Sequence, residues 1–326
     1  MLLTRVRRLA REPNGAFSPA GSLPEGAFPA DPDAFGEAEA EVVEHGGGPL
    51  RRIAVPRTAG SGFTSFLDGI QRTGILLYHG PVPIVYAYAA AVIRTRGGRA
   101  APEGRLRTFL RDEREALFFP FRLVAPSALA GCGAAAEQMV DTSPAEAAPV
   151  PIFPPLLYAW AAQRVATWRE EVEAQVAERW CRQDEDPGHL LVDGSLTLSR
   201  ELAACARAVG VIKSHLTRFF DGDDARTLLS LEEGERTSVF RPGTRQFTPV
   251  YSWYLRLRSP AGSGALWGLV RVEAPATAAT LRRADQISGW LLAETAPIAL
   301  PDPRWDRMLY PIRDCEQYLR SRAPRL

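Results

Sequence analysis

Two Asp-Gly pairs and one lysine are the residues on which chemistry can be built. Asp68 stands in SFLDGIQR and Asp193 in LLVDGSL, each after an apolar run that reads as a strand. Lys213 closes VGVIK and is the only lysine among 39 basic residues. A lone Asp-Gly pair is an ordinary turn. Two such pairs at matching strand ends make a different case. Carboxylates set side by side repel, and a divalent cation resolves the repulsion. Hard oxygen ligands suit Mg²⁺ or Mn²⁺. Such a site positions phosphate oxygens and activates water in phosphodiester hydrolysis. Lysine is a compact point charge where guanidinium is a broad fork. An ammonium at 213 therefore suits a crowded place, where it could hold a phosphate or orient the attacking water.

The surrounding elements must bring these groups together. Residues 63–69, 73–79 and 82–96 read as three strands of an antiparallel meander, split by Asp-Gly and HGPVP turns. LRTFLRDEREALFFPFRLV is expected to hold a helix and a strand, followed by a linker or covering insertion. Residues 155–182 carry apolar side chains at spacings of three and four, which is an amphipathic helix. HLLVD and VGVIK are short buried strands on either side of a helix capped by Ser199. TPVYSWYLRLRS and ALWGLVRVE form a hairpin, and two helices follow. This order predicts an α/β fold with a ribonuclease-H-like mixed sheet: three antiparallel strands, then alternating helix and strand, with helical and β-hairpin insertions. Residues 1–60 read as a loosely ordered arm, and 61–326 as the domain, with an insertion at 97–150.

In that topology the Asp68 and Asp193 strands lie parallel and adjacent at the sheet centre, because crossovers are right-handed. A third carboxylate should come from the long helix. Glu173 is favoured and Glu170 stands second, one turn away near the same face.

Bulk properties bound the rest. Net charge is +1, so the whole chain does not announce nucleic acid. Local arginine clusters, RLRTFLRDER, YLRLRS and TLRRAD, fit a narrow nucleic-acid groove. The four cysteines have no CxxC pairing and read as reduced thiols. Neither a signal peptide nor an apolar run of about 18 residues is present, so a soluble cytoplasmic protein is expected.

FLDGIQR, LLVDGSL, VGVIKSH and MLYPIRDCEQYL, in that order, resemble the NurA family of DNA end-processing nucleases, discontinuously over residues 60–326. The pair LLVDGSL and VGVIK is the most specific part. The first stretch departs slightly, with Ile70 where the family usually has serine. The resemblance implies a Mn²⁺-dependent (or Mg²⁺-dependent) DNase, acting as a 5′–3′ exonuclease and single-strand endonuclease in DNA repair or phage defence. It implies a homodimer paired with a hexameric HerA-type ATPase that feeds it DNA. Asp68, Asp193 and a helix glutamate would bind metal, Lys213 matches the family's basic position, and Tyr310 matches an active-site tyrosine. Where the family commonly has histidine, this chain has Tyr318, with Asp314 and Glu316 near enough in sequence to reach a metal instead. The alternative expectation is therefore a catalytically impaired NurA-like module that binds nucleic acid or the ATPase.

Overall fold

A computed structural model of the chain describes residues 36–96, 106–132, 135–144, 149–183, 188–243, 249–260, 264–295 and 309–324. Among these the strands run β1 Gly36–Glu37, β2 Ala40–Val42, β3 Arg52–Ala54, β4 Phe63–His79, β5 Val82–Arg96, β6 Leu106–Phe119, β7 Met139–Asp141, β8 His189–Asp193, β9 Ala208–Ile212, β10 Thr217–Arg218, β11 Glu235–Thr237, β12 Phe240–Pro242, β13 Val250–Arg256 and β14 Leu269–Pro275. The α-helices are α1 Pro154–Cys181, α2 Arg200–Ala204, α3 Gly222–Leu229, α4 Ala278–Ala293 and α5 Tyr310–Arg322. The result is a mixed α/β fold. No helix among the described residues is long and apolar enough to cross a membrane.

The chain divides into two compact units: Thr64–Pro187 with Pro311–Leu326, and Met1–Phe63 with Gly188–Tyr310. In the first, β4, β5 and β6 form an antiparallel meander, and β7 adds parallel to β6. The meander thus has three strands as expected, but with different members. β4 does not turn at Asp68-Gly69: it runs on unbroken, with Asp68 opposite Val92, Gly69 opposite Ala91 and Arg72 opposite Tyr88. The two strands anticipated at 63–69 and 73–79 are one. The third strand is LRTFLRDEREALFF, anticipated to be part helix. Its charged residues mimic a helical surface, yet its backbone pairs with β5 from Val85–Phe118 to Arg96–Leu106.

Helix α1 has Pro154 and Pro155 in its first turn, where missing N–H groups cost nothing. Its buried stripe includes Leu157, Val165, Trp168, Val172, Val176 and Trp180. That stripe packs on β5, whose buried Ala87, Ala89 and Ala91 let the helix approach closely. Each large side chain removed from water there contributes roughly 1.5–3 kcal/mol. The buried Trp180 indole N–H finds Ser65 Oγ at 3.1 Å.

In the second unit β8 and β9 are parallel, β9 pairs antiparallel with β14, and β14 with β13. β11 and β12 border β13, and β3 and β2 pair with them in turn. Part of the anticipated arm, residues 36–54, therefore supplies strands to this unit. Its short polar runs lack periodicity, so only their pairing partners make them strands.

Candidate functional site

Asp193 ends β8, and the chain turns at Gly194, whose φ of 140° suits glycine. The Gly194 carbonyl then lies against Gly210 of β9: a Cβ at 210 would stand 2.6 Å from it. DGS and VGV are thus two halves of one close backbone approach. β9 leads to Lys213, whose Nζ lies 2.8 Å from Asp193 Oδ1 and 2.9 Å from Oδ2. The sole lysine holds both oxygens of this carboxylate. Both side chains are partly open to solvent, at 29% and 24% exposed.

The turn after Asp193 is fixed from behind by Glu273 of β14, a residue that sequence reasoning missed. Glu273 is buried. Its Oε2 accepts from Ser195 Oγ at 2.7 Å and Leu196 N at 3.0 Å, and its Oε1 from Arg271 at 2.6 Å. The only sequence signal for it is an acid inside the apolar strand run WGLVRVE.

In the other unit Asp68 is buried at 9% exposure, and its Oδ1 accepts from Gly69 N at 2.8 Å. Glu173 of α1 is buried, whereas Glu170 is 46% exposed. A Cβ on Gly69 would stand 2.0 Å from Glu173 Oε1, so the absent side chain is the space this carboxylate fills. Strand alternation puts the Asp68 Cβ on the opposite face of β4 from the one Glu173 covers. Arg169 donates to Glu173 Oε1 at 2.5 Å. We expect Gly69→Ala to cost about 1–3 kcal/mol through this overlap. The double variant Gly69→Ala/Glu173→Ala should recover most of it, and denaturant midpoints measure the coupling. Additive losses would break the link between the two positions.

On the Asp68 face, Cys315 of α5 donates to the Phe66 carbonyl at 3.3 Å. Burial above all, then the charges of Asp68 and Asp314, holds its thiol well above the ordinary range. Asp314 lies 2.6 Å from Arg94 Nε, close but misaligned for a hydrogen bond. Tyr318 is held by arginines: Arg111 donates to its hydroxyl at 3.1 Å, and the Arg94 and Arg322 guanidiniums stand 4.8 and 5.8 Å from its ring centre. Its hydroxyl pKa is lowered by a hydrogen bond with Thr108, against burial, and further by Arg111 and Arg322. Tyr310 begins α5, and its N–H donates to the Glu294 carbonyl at 3.4 Å. Glu316 pairs with Arg320.

Within each unit, then, the structure joins Asp193 to Lys213, and Glu173 to the residue after Asp68. Among the described residues no three His, Cys, Asp or Glu side chains are grouped as ligands for one ion. Asp68, Glu173 and Asp193 are hard oxygen donors, which fits Mn²⁺ or Mg²⁺ in chemistry. Two of them currently face a cationic side chain, Arg169 or Lys213, which an incoming ion would have to replace.

No family model matches the chain, and no curated protein matches it. Among solved structures it is similar to the NurA nuclease from Sulfolobus solfataricus. The identity is 13% and the TM-score 0.47, over 83% of this chain and 82% of that one.

Of the arginines expected along a nucleic-acid path, one is internal and another is half-buried. Arg256, within YLRLRS, is fully buried and donates to the carbonyls of Leu231 and Leu229, each at 3.1 Å, and of Trp267. Burial alone brings its pKa down to about 10. In TLRRAD, Arg283 packs over Trp290 and bonds His189.

Proposed function

We propose that this chain is a divalent-metal-dependent DNA nuclease of NurA type. The observation that carries the reading is the Asp193–Lys213 pair on adjacent parallel strands, set by the mutual approach of Gly194 and Gly210. A lysine that spans both carboxylate oxygens is poised to swing onto a phosphate when a metal takes the carboxylate. Asp68 and Asp193 are the acids that would hold Mn²⁺ or Mg²⁺; Glu173, on the other face of β4 from Asp68, would support that strand from behind. A metal bound there supplies Lewis acidity and an acidified water. Asp68 and Asp193 orient the site, Lys213 neutralises phosphate, and Tyr310 contacts the substrate as the motif match implies. Glu273 is a positioning residue: it holds Ser195 and Leu196, and through them the turn that aims Asp193.

A homodimer and a HerA-type hexameric ATPase belong to the same proposal. An apolar surface for such a contact exists: Ile75, Leu76, Leu77 and Tyr78, at the β4–β5 hairpin, are 38–63% exposed.

The second reading is a module that binds nucleic acid or the ATPase without cutting. Tyr318 favours it, because arginines engage both its ring and its hydroxyl where the family has a histidine. Cleavage of end-labelled single- and double-stranded DNA with Mn²⁺, Mg²⁺ or EDTA separates the two. Metal-dependent products are expected. Binding without products in any metal would favour the second reading.

A further inference from the structure

The unit that joins Gly188–Tyr310 to the segment before Thr64 contains a cavity of about 390 Å³ that the cleavage chemistry does not use. It opens two residues beyond Lys213. His215 and Tyr254 form part of its wall as a stacked pair, centroids 6.1 Å apart and planes 29° from parallel. Phe219 forms another part. Leu228 and Leu229 of α3 close a third side. The lining is mainly apolar, but the mouth is polar. There Arg218 donates to Glu37 across the parallel β1–β10 pair, and to Asp221 at 2.5 Å.

The cavity is tied to the Asp193 turn by a continuous set of contacts. The Arg271 guanidinium stands 5.1 Å from the Phe219 ring centre. Arg271 bonds Glu273, and Glu273 holds Ser195 and Leu196. Lys213 and the lining residue His215 are two residues apart, at most about 7 Å along the chain, so a nucleotide held by its phosphate at Lys213 has a base within reach of this opening. Planar aromatic walls with a donor and an acceptor at the rim suit a flat, polar-edged ring. Every nucleobase has such a face, and stacking on it is tolerant of sequence. A volume of this size falls within the range of small-ligand sites.

We propose that this cavity takes one unstacked nucleobase of a single-stranded substrate, and so registers the strand on Lys213. The proposal rests on the nuclease reading above. It explains why aromatic residues follow the catalytic strand directly, in SHLTRFF. It also assigns the β1–β10 lip a purpose: Glu37 and Arg218 meet the edge of the base.

The test is binding in Ca²⁺, a hard cation that can take the carboxylates in place of Mn²⁺ or Mg²⁺, with gels confirming that the strand stays intact. Fluorescence anisotropy compares labelled single-stranded oligothymidylate with an abasic strand of the same length, using the full chain. Wild type should bind the base-bearing strand about tenfold more tightly. Ala225→Phe fills the cavity from α3, and Leu229→Trp fills it from the end of the same helix. Both should cut that preference below about twofold and leave abasic binding unchanged, because phosphate attraction is separate from stacking. Far-UV circular dichroism checks the fold of each, and either folded variant suffices. Equal affinity of wild type for the two strands overturns the proposal, as does a preference that survives in the folded variants. If metal-dependent cleavage is then still present, only the base site has failed. If wild type binds neither strand at low salt, the nuclease reading falls with it.

Discussion

Asp193→Asn is expected to abolish metal-dependent DNA cleavage while the chain stays folded. The substitution keeps the size of the side chain and leaves the β8–β9 ladder intact, from Leu190–Ala208 to Asp193–Val211. It removes the charge that Lys213 and an incoming cation would share. The rate should fall by more than about 100-fold, the upper range for losing a mere outer-shell partner of a metal. Stability should change by about 1 kcal/mol or less, as for other accessible ion pairs. Lys213→Arg is the sharper companion. It preserves charge, but a guanidinium fork grips a carboxylate bidentately and releases it less readily than an ammonium does. Loss of about tenfold or more is expected in that variant, at the level of one weakened outer partner. Single-turnover cleavage with labelled DNA measures both. Wild-type rates in Asp193→Asn would end the assignment of the site, whatever Lys213→Arg did.

The largest stability loss should come from a place remote from the site. Arg236 of β11 is buried, and its Nη1 and Nη2 each reach Glu44 at 2.8 Å while its Nε reaches Asp285 at 2.6 Å. Glu44 also accepts from Val239 N at 2.8 Å. Arg236→Met strands a largely buried carboxylate, which costs about 3–5 kcal/mol. In a unit of this size that is roughly 6–20 °C in melting temperature. Adding Glu44→Leu should restore much of it, since the unpaired charge carries most of the penalty. Acidity should tell the same story. Burial raises the pKa of Glu44, but bonds from Arg236 and Val239 outweigh it, and the group lies below its ordinary value of 4.5. A folded pKa below the unfolded one means stability that is full above pH 4.5 and drains as pH falls through the lowered value. Arg236→Met should lose that acid-sensitive component. A melting temperature within two degrees or so of wild type would show that the site tolerates the loss by letting water in.

Much of the fold could be read from the chain, and the reasons are local. α1, α4, β8, β9 and the β13–β14 hairpin carry strong periodicity or caps. Thr277, for example, accepts from Thr280 N at the start of α4, as Ser199 does from Leu202 N at α2. What misled was Asp68-Gly69. Its dipeptide says turn, but the residue that decides is Glu173, more than a hundred positions away, whose carboxylate needs the glycine inside a strand. β6 misled for a similar reason, since Arg111, Glu113 and Arg114 look like a solvated helix until Tyr318, Arg322 and Gln175 appear as their partners. Of the site, Asp193 and Lys213 were legible because one short stretch separates them. Glu273 was not, because nothing in a strand run announces that its acid faces a turn from another strand.

The hold of Lys213 on Asp193 also bears on how the chain matures. A small metal domain whose acids or thiols await a captured ion stays unfolded until the ion arrives. Here the acid is followed twenty residues later by its own counter-charge, and Glu173 finds Arg169 one helical turn away. Newly made chain can close β8 on β9 without drawing on any supply of manganese or magnesium. If the proposed dependence on manganese or magnesium holds, scarcity of the ion would leave a reserve of folded, idle protein that ion uptake alone could switch on, with no new synthesis.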